Sequence, residues 1–119
     1  MGIFDFLKKK TPIDFSEENI SELTLKSDLL GQTLIDNEMG FYVDYLSQIR
    51  LAADNKNDAE FKKLVISPEL FGGAGALWEI YINNSTEHQK YKIQFSEYVE
   101  LLIKMGIRSR RVNQIRKSI

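Results

Sequence analysis

Three glycines in four positions, Gly72, Gly73 and Gly75, stand between Phe71 and the run Ala76, Leu77, Trp78, Glu79. Glycine reaches positive φ and allows close backbone approach, so such a loop can present successive amide hydrogens to an anion at a helix start. A dinucleotide or phosphate-loop site asks for more: a preceding strand, G-x-G-x-x-G or G-x-x-x-x-G-K-S/T spacing, and a downstream acid or lysine. None of these is met here. The competing reading is a tight turn that lets one helix pack closely against another around Trp78.

The other residue types that do chemistry are scattered. His88 is the only histidine, flanked by Glu87 and Gln89; without a second ligand it makes no metal site, and it reads as a solvated surface residue. The run Asp54 to Asp58 holds acids and amides but lacks the glycine and closing glutamate that a calcium loop needs. The chain contains no cysteine, which excludes disulfides, thiolate zinc sites, iron–sulfur clusters and cysteine nucleophiles and fits a reducing, cytoplasmic setting. No catalytic residue, metal or cofactor is expected, and the chain reads as a binding protein rather than an enzyme.

The stretch FGGAGALWEI, residues 71–80, resembles the FGGMGSLNDL-type motif of a family of small, poorly characterised bacterial helical proteins, some of them encoded beside toxins as immunity-like factors. The resemblance spans the region from the Tyr45 helix to the Tyr98 helix. Phe71, Gly72, Gly73, Gly75, Leu77 and Glu79 match the motif in type, whereas Ala76 stands in place of its Ser and Trp78 in place of its Asn, which removes its polar capping group. The resemblance implies a helical fold, no cofactor and a protein partner.

The elements that position these residues are helical. Ser16 followed by Glu17 and Glu18 supplies a cap with acids in the first turn, and Ile20, Leu23, Leu30 and Leu34 return on one face up to Ile35. Tyr42, Tyr45, Leu46, Ile49, Ala52 and Ala53 form the clearest helical series. Asp58 is expected to cap a short helix burying Phe61, Leu64 and Val65. Thr86 and Glu87 open a long helix carrying Tyr91, Phe95, Tyr98, Val99, Leu102 and Met105, stopped by Gly106. Ser109 can cap a last, basic helix. The expected fold is all-α, one domain over residues 1–119 with an N-terminal segment 1–12, and a small bundle of about five helices. ALWEIYI at 76–82 is rich in β-formers and KYKIQF at 90–95 alternates, so a short β-hairpin near residues 76–95 competes with helix there.

Charge narrows the partner. The net charge of −1 divides into an acidic first half and a basic second half, which helices from the two halves can neutralise by interleaving. Asp14, Glu18, Glu22 and Asp28 are expected on the first helix as a face that steers a basic protein, with Tyr42 and Trp78 as aromatic anchors. Arg110, Arg111 and Arg116 in the terminal basic run form the alternative, a surface for nucleic acid. The sequence pI near 5.9 and the lack of aromatic residues in that run speak against it. Apolar runs are too short to span a bilayer, and Ile3, Phe4, Phe6 and Leu7 read as a docked turn rather than a lipid anchor.

Overall fold

The computed structural model describes residues 12–66, 77 and 80–107. Four α-helices and one 3-10 turn occur among them: α1 (Glu17–Asp36), the turn Gly40–Tyr42, α2 (Val43–Asp54), α3 (Asp58–Val65) and α4 (Ser85–Met105). The all-α expectation holds for these residues, and the basic helix expected from Ser109 lies outside them. The hairpin alternative is overturned at its second strand. Residues 85–105 are one helix, and Tyr91 and Phe95, four apart within the alternating stretch, are both buried on its inner face.

Side-chain caps set the helix starts. Ser16 Oγ accepts from the Asn19 amide at 3.3 Å, and Glu17 and Glu18 follow in the positively charged first turn. Two starts differ from expectation by a residue or two. Asn57, not Asp58, caps α3 by accepting from the Glu60 amide at 3.2 Å, and Asn84 rather than Thr86 caps α4 through the Glu87 amide at 3.0 Å. Displaced from capping, Asp58 accepts from the Ile13 amide at 2.9 Å and pairs with Lys62 at 2.8 Å.

Three of the four helix ends share one hydrogen-bond pattern. After α1 the amides of Glu38 and Met39 return to the carbonyls of Ile35 and Leu34; after α2 those of Lys56 and Asn57 return to Ala53 and Ala52; after α4 those of Gly106 and Ile107 return to Ile103 and Leu102. This is the Schellman turn, which satisfies the orphan carbonyls of a last turn and places one residue in the left-handed region. That residue is Glu38 (φ 63°), Lys56 (φ 52°) and Gly106 (φ 123°) respectively. Only the last is the glycine that the geometry favours.

Packing follows the helical stripes. Leu23, Leu30 and Leu34 of α1 meet Leu46, Ile49 and Ala53 of α2, Phe61 and Val65 of α3, and Tyr91, Phe95, Tyr98, Val99 and Leu102 of α4 in one core. Gly31 brings α1 close to α2: a Cβ there would lie 3.6 Å from Val43. Leu77, at the end of the glycine motif, is fully buried, and its carbonyl accepts from the Tyr91 hydroxyl at 2.7 Å. The Tyr98 hydroxyl is buried with no hydrogen-bond partner. Burial, with a smaller contribution from a neighbouring tyrosine, raises both phenols above their usual range, so both stay protonated.

Two measurements check this account. Glu38→Gly and Lys56→Gly each remove left-handed strain, worth about 1 kcal/mol per site, and are expected to raise the thermal midpoint, whereas Gly106→Ala lowers it. Urea unfolding of the two tyrosine variants should separate them in sign. Tyr91→Phe removes the shorter of the two hydrogen bonds to the Leu77 carbonyl, which keeps only the Ile80 amide at 3.4 Å, and costs about 1 kcal/mol, while Tyr98→Phe deletes an unpaired buried hydroxyl and is neutral or stabilising by about 1 kcal/mol.

Candidate partner-binding surface

The acids expected on the first helix do not form one free face. Asp14 precedes α1, and its carboxylate accepts from the Ser16 amide at 3.0 Å, tightening the cap. Glu18, highly exposed, lies 4.0 Å from Lys104 of α4. Glu22 is half-buried beside α4, and Asp28 is exposed. Lys26 reaches Glu97 at 3.3 Å, so α1 and α4 exchange charges along their contact. The interleaving expected from the divided charge thus occurs here, although exposed pairs of this kind add little stability.

A different cluster stands at the end of the bundle where α1 turns into α2. The left-handed Glu38 reverses the chain, and the 3-10 turn then sets two aromatic rings side by side, Phe41 and Tyr42, with centroids 4.5 Å apart. Tyr42, the expected anchor, packs partly into the core. Phe41 beside it is 73% exposed, and Ile35, which touches Gly40, is 52% exposed. Around this apolar corner are Asp36, Glu38 and Asp44, with no lysine or arginine between residues 27 and 49. Large apolar side chains together at an acidic corner make a surface complementary to an apolar knob flanked by lysine or arginine.

The start of α4 abuts the same corner. Asn37 donates from Nδ2 to Glu87 Oε1 at 3.0 Å, and Lys90 lies 3.3 Å from the other carboxylate oxygen. The Asn37 bond first, then Lys90, holds the Glu87 carboxyl below the usual carboxylate range. His88 is not the solvated residue expected. It is half-buried, its Nδ1 accepts from the Ile82 amide at 3.2 Å, and its ring leans on Tyr81 with centroids 4.6 Å apart. Its role is to pin the chain entering α4. Only the fold discloses that role, because the imidazole's partner is a backbone amide that carries no sequence signal.

Of the motif residues, Leu77 is a core residue. Phe71, Gly72, Gly73, Gly75, Trp78 and Glu79 lie outside the described residues, as do Arg110, Arg111 and Arg116. Among the described residues no three acids or histidines converge to hold a metal ion, and no helix is long and apolar enough to cross a membrane. No family model, no curated protein and no solved structure matches the chain.

The depressed Glu87 carboxyl gives a pH test. Its contribution to stability is complete above the ordinary value of 4.5 and is lost as pH falls through the lower folded value. The gap in thermal midpoint between the native chain and Glu87→Gln is therefore expected to be open at neutral pH and to close in acid.

Proposed function

We propose that the chain is a non-catalytic protein-binding module of the immunity type, restraining a basic partner protein by covering part of its surface. The observation that carries the reading is the Phe41 corner: a ring 73% exposed, fixed by a 3-10 turn whose Gly40 lies against the exposed Ile35, in a segment whose charged residues between 27 and 49 are all acidic. Burying an exposed phenylalanine against a partner returns roughly 2–3 kcal/mol, and a rigid aromatic anchor loses little side-chain entropy on binding. Asp36, Glu38 and Asp44, with Glu18 and Asp28 farther along α1, supply the negative field that speeds encounter with a basic surface. Phe41 takes the anchoring place, with Tyr42 as the ring that braces it. The likeness of residues 71–80 to the immunity-like motif supports the same reading.

The test is a native pull-down from the host of origin, with tagged native chain and Phe41→Ala side by side. The expected result is a stoichiometric basic protein whose capture falls at least about tenfold in the variant and weakens with added salt. Recovery of nucleic acid alone, lost when Arg110, Arg111 and Arg116 become alanine, would replace this reading with the nucleic-acid alternative.

A further inference from the structure

The hold that His88 has on the chain ahead of α4 depends on which of its ring nitrogens carries a proton. Residues 80–84 lead into α4 from the side of the buried Leu77. In this segment the Ile80 amide donates to the Leu77 carbonyl at 3.4 Å, and the Ile82 amide donates to His88 Nδ1 at 3.2 Å. The Ile82 side chain is buried, while Tyr81, mostly exposed, lies against the imidazole with ring centroids 4.6 Å apart. His88 therefore grips the segment twice, through a nitrogen and through a ring face. An amide can donate only to an unprotonated nitrogen, so the bond requires a neutral ring whose proton sits on Nε2.

We propose that this contact is a proton-operated latch: a proton taken up at Nδ1 in mild acid frees residues 80–84 from α4 while the helical body stays folded. Protonation sets two N–H donors against each other across 3.2 Å, so an attraction becomes a repulsion. The charges around the ring do not offset it. On α4 the adjacent Glu87 carboxylate is turned to Asn37 and Lys90, and Lys92, one turn on, is itself a cation. The start of α1's partner helix also carries the positive end of the α4 dipole, which disfavours a further cation. From α1 the nearest recorded contact is Asn37, a neutral amide, and residues 80–84 present the neutral Tyr81 phenol. No carboxylate among the described residues pairs with the ring. Histidine is the side chain whose ordinary titration falls roughly between pH 5 and 8. Glu87 titrates below its ordinary 4.5, so the Asn37 bond between α1 and α4 outlasts the latch as acid is added. The latch acts within one chain and does not depend on the partner-binding reading.

Amide hydrogen exchange of the full chain by NMR, with protection taken relative to an unstructured peptide at each pH, tests the proposal. The Ile82 amide should be protected at about pH 7.5 and lose at least about tenfold of that protection at about pH 5. The buried Leu30, Val99 and Leu102 should keep theirs. Ring nitrogen shifts in the same samples should place the proton of the neutral imidazole on Nε2. His88→Asn keeps an acceptor near the position of Nδ1 and cannot titrate, so its Ile82 amide should stay protected at both pH values. His88→Leu offers no acceptor and should leave that amide open at both. An Ile82 amide that stays protected after the native ring has taken up its proton overturns the proposal. So does a neutral ring with its proton on Nδ1, an acid loss in His88→Asn equal to that of the native chain, or a loss of core protection in step with Ile82.

Discussion

The described fold is closed by the crossing of residues 12–14 over Gly106. The Asp14 amide donates to the Met105 carbonyl at 2.7 Å, and Ile13 and Ile107 are buried at the same place. A Cβ on Gly106 would lie 3.2 Å from the Pro12 carbonyl oxygen. Two demands therefore meet at one residue, a left-handed φ and the absence of a side chain, and only glycine answers both. The crossing also holds α3, since the Ile13 amide donates to the Asp58 carboxylate, which in turn pairs with Lys62. The chain ahead of α1, the body of α3 and the end of α4 are thus fastened together by a handful of backbone groups that would otherwise be stranded at the rim of the core.

How much of this was legible follows from which features carry a side-chain signal. The spacing of Tyr91, Phe95, Tyr98, Val99, Leu102 and Met105 gave the buried face of α4, and Gly106 gave its end. Ser16 gave the start of α1. The ends of α1 and α2 were less legible because Glu38 and Lys56 occupy the left-handed position at which glycine or asparagine is the usual marker. Asn57 illustrates the same difficulty. It completes the turn that ends α2 with its amide and caps α3 with its side chain, so there is no linker of its own between the helices to betray the boundary. The alternating stretch 90–95 misled for a related reason: with Tyr91 and Phe95 four apart, six residues satisfy both the two-residue and the helical period.

The candidate surface lies beside an expected residue rather than on it. An aromatic anchor near position 42 was expected, yet Phe41 and Tyr42 are adjacent, and which ring faces water depends on the 3-10 turn that advances the chain between α1 and α2. Periodicity assigned Tyr42 to the helical stripe, and the fold agrees by packing it partly inward. The same assignment leaves its neighbour exposed. His88 shows the opposite limit, since a histidine in a polar run gives no hint that its ring will accept from an amide six residues earlier.

A net charge near zero conceals two surfaces of different electrostatic character. Where α1 meets α4, charges of both signs come from each helix, Lys26 of α1 pairing with Glu97 and Glu18 with Lys104 of α4, and the field alternates in sign along the seam. At the turn into α2 the acids have no opposing bases from within the same segment, because none occurs between residues 27 and 49. The apolar residues at the two places obey the same division. Leu25, Leu29 and Ile93 form a flat aliphatic stripe suited to helix packing, while Phe41 is a single ring at a corner suited to a pocket.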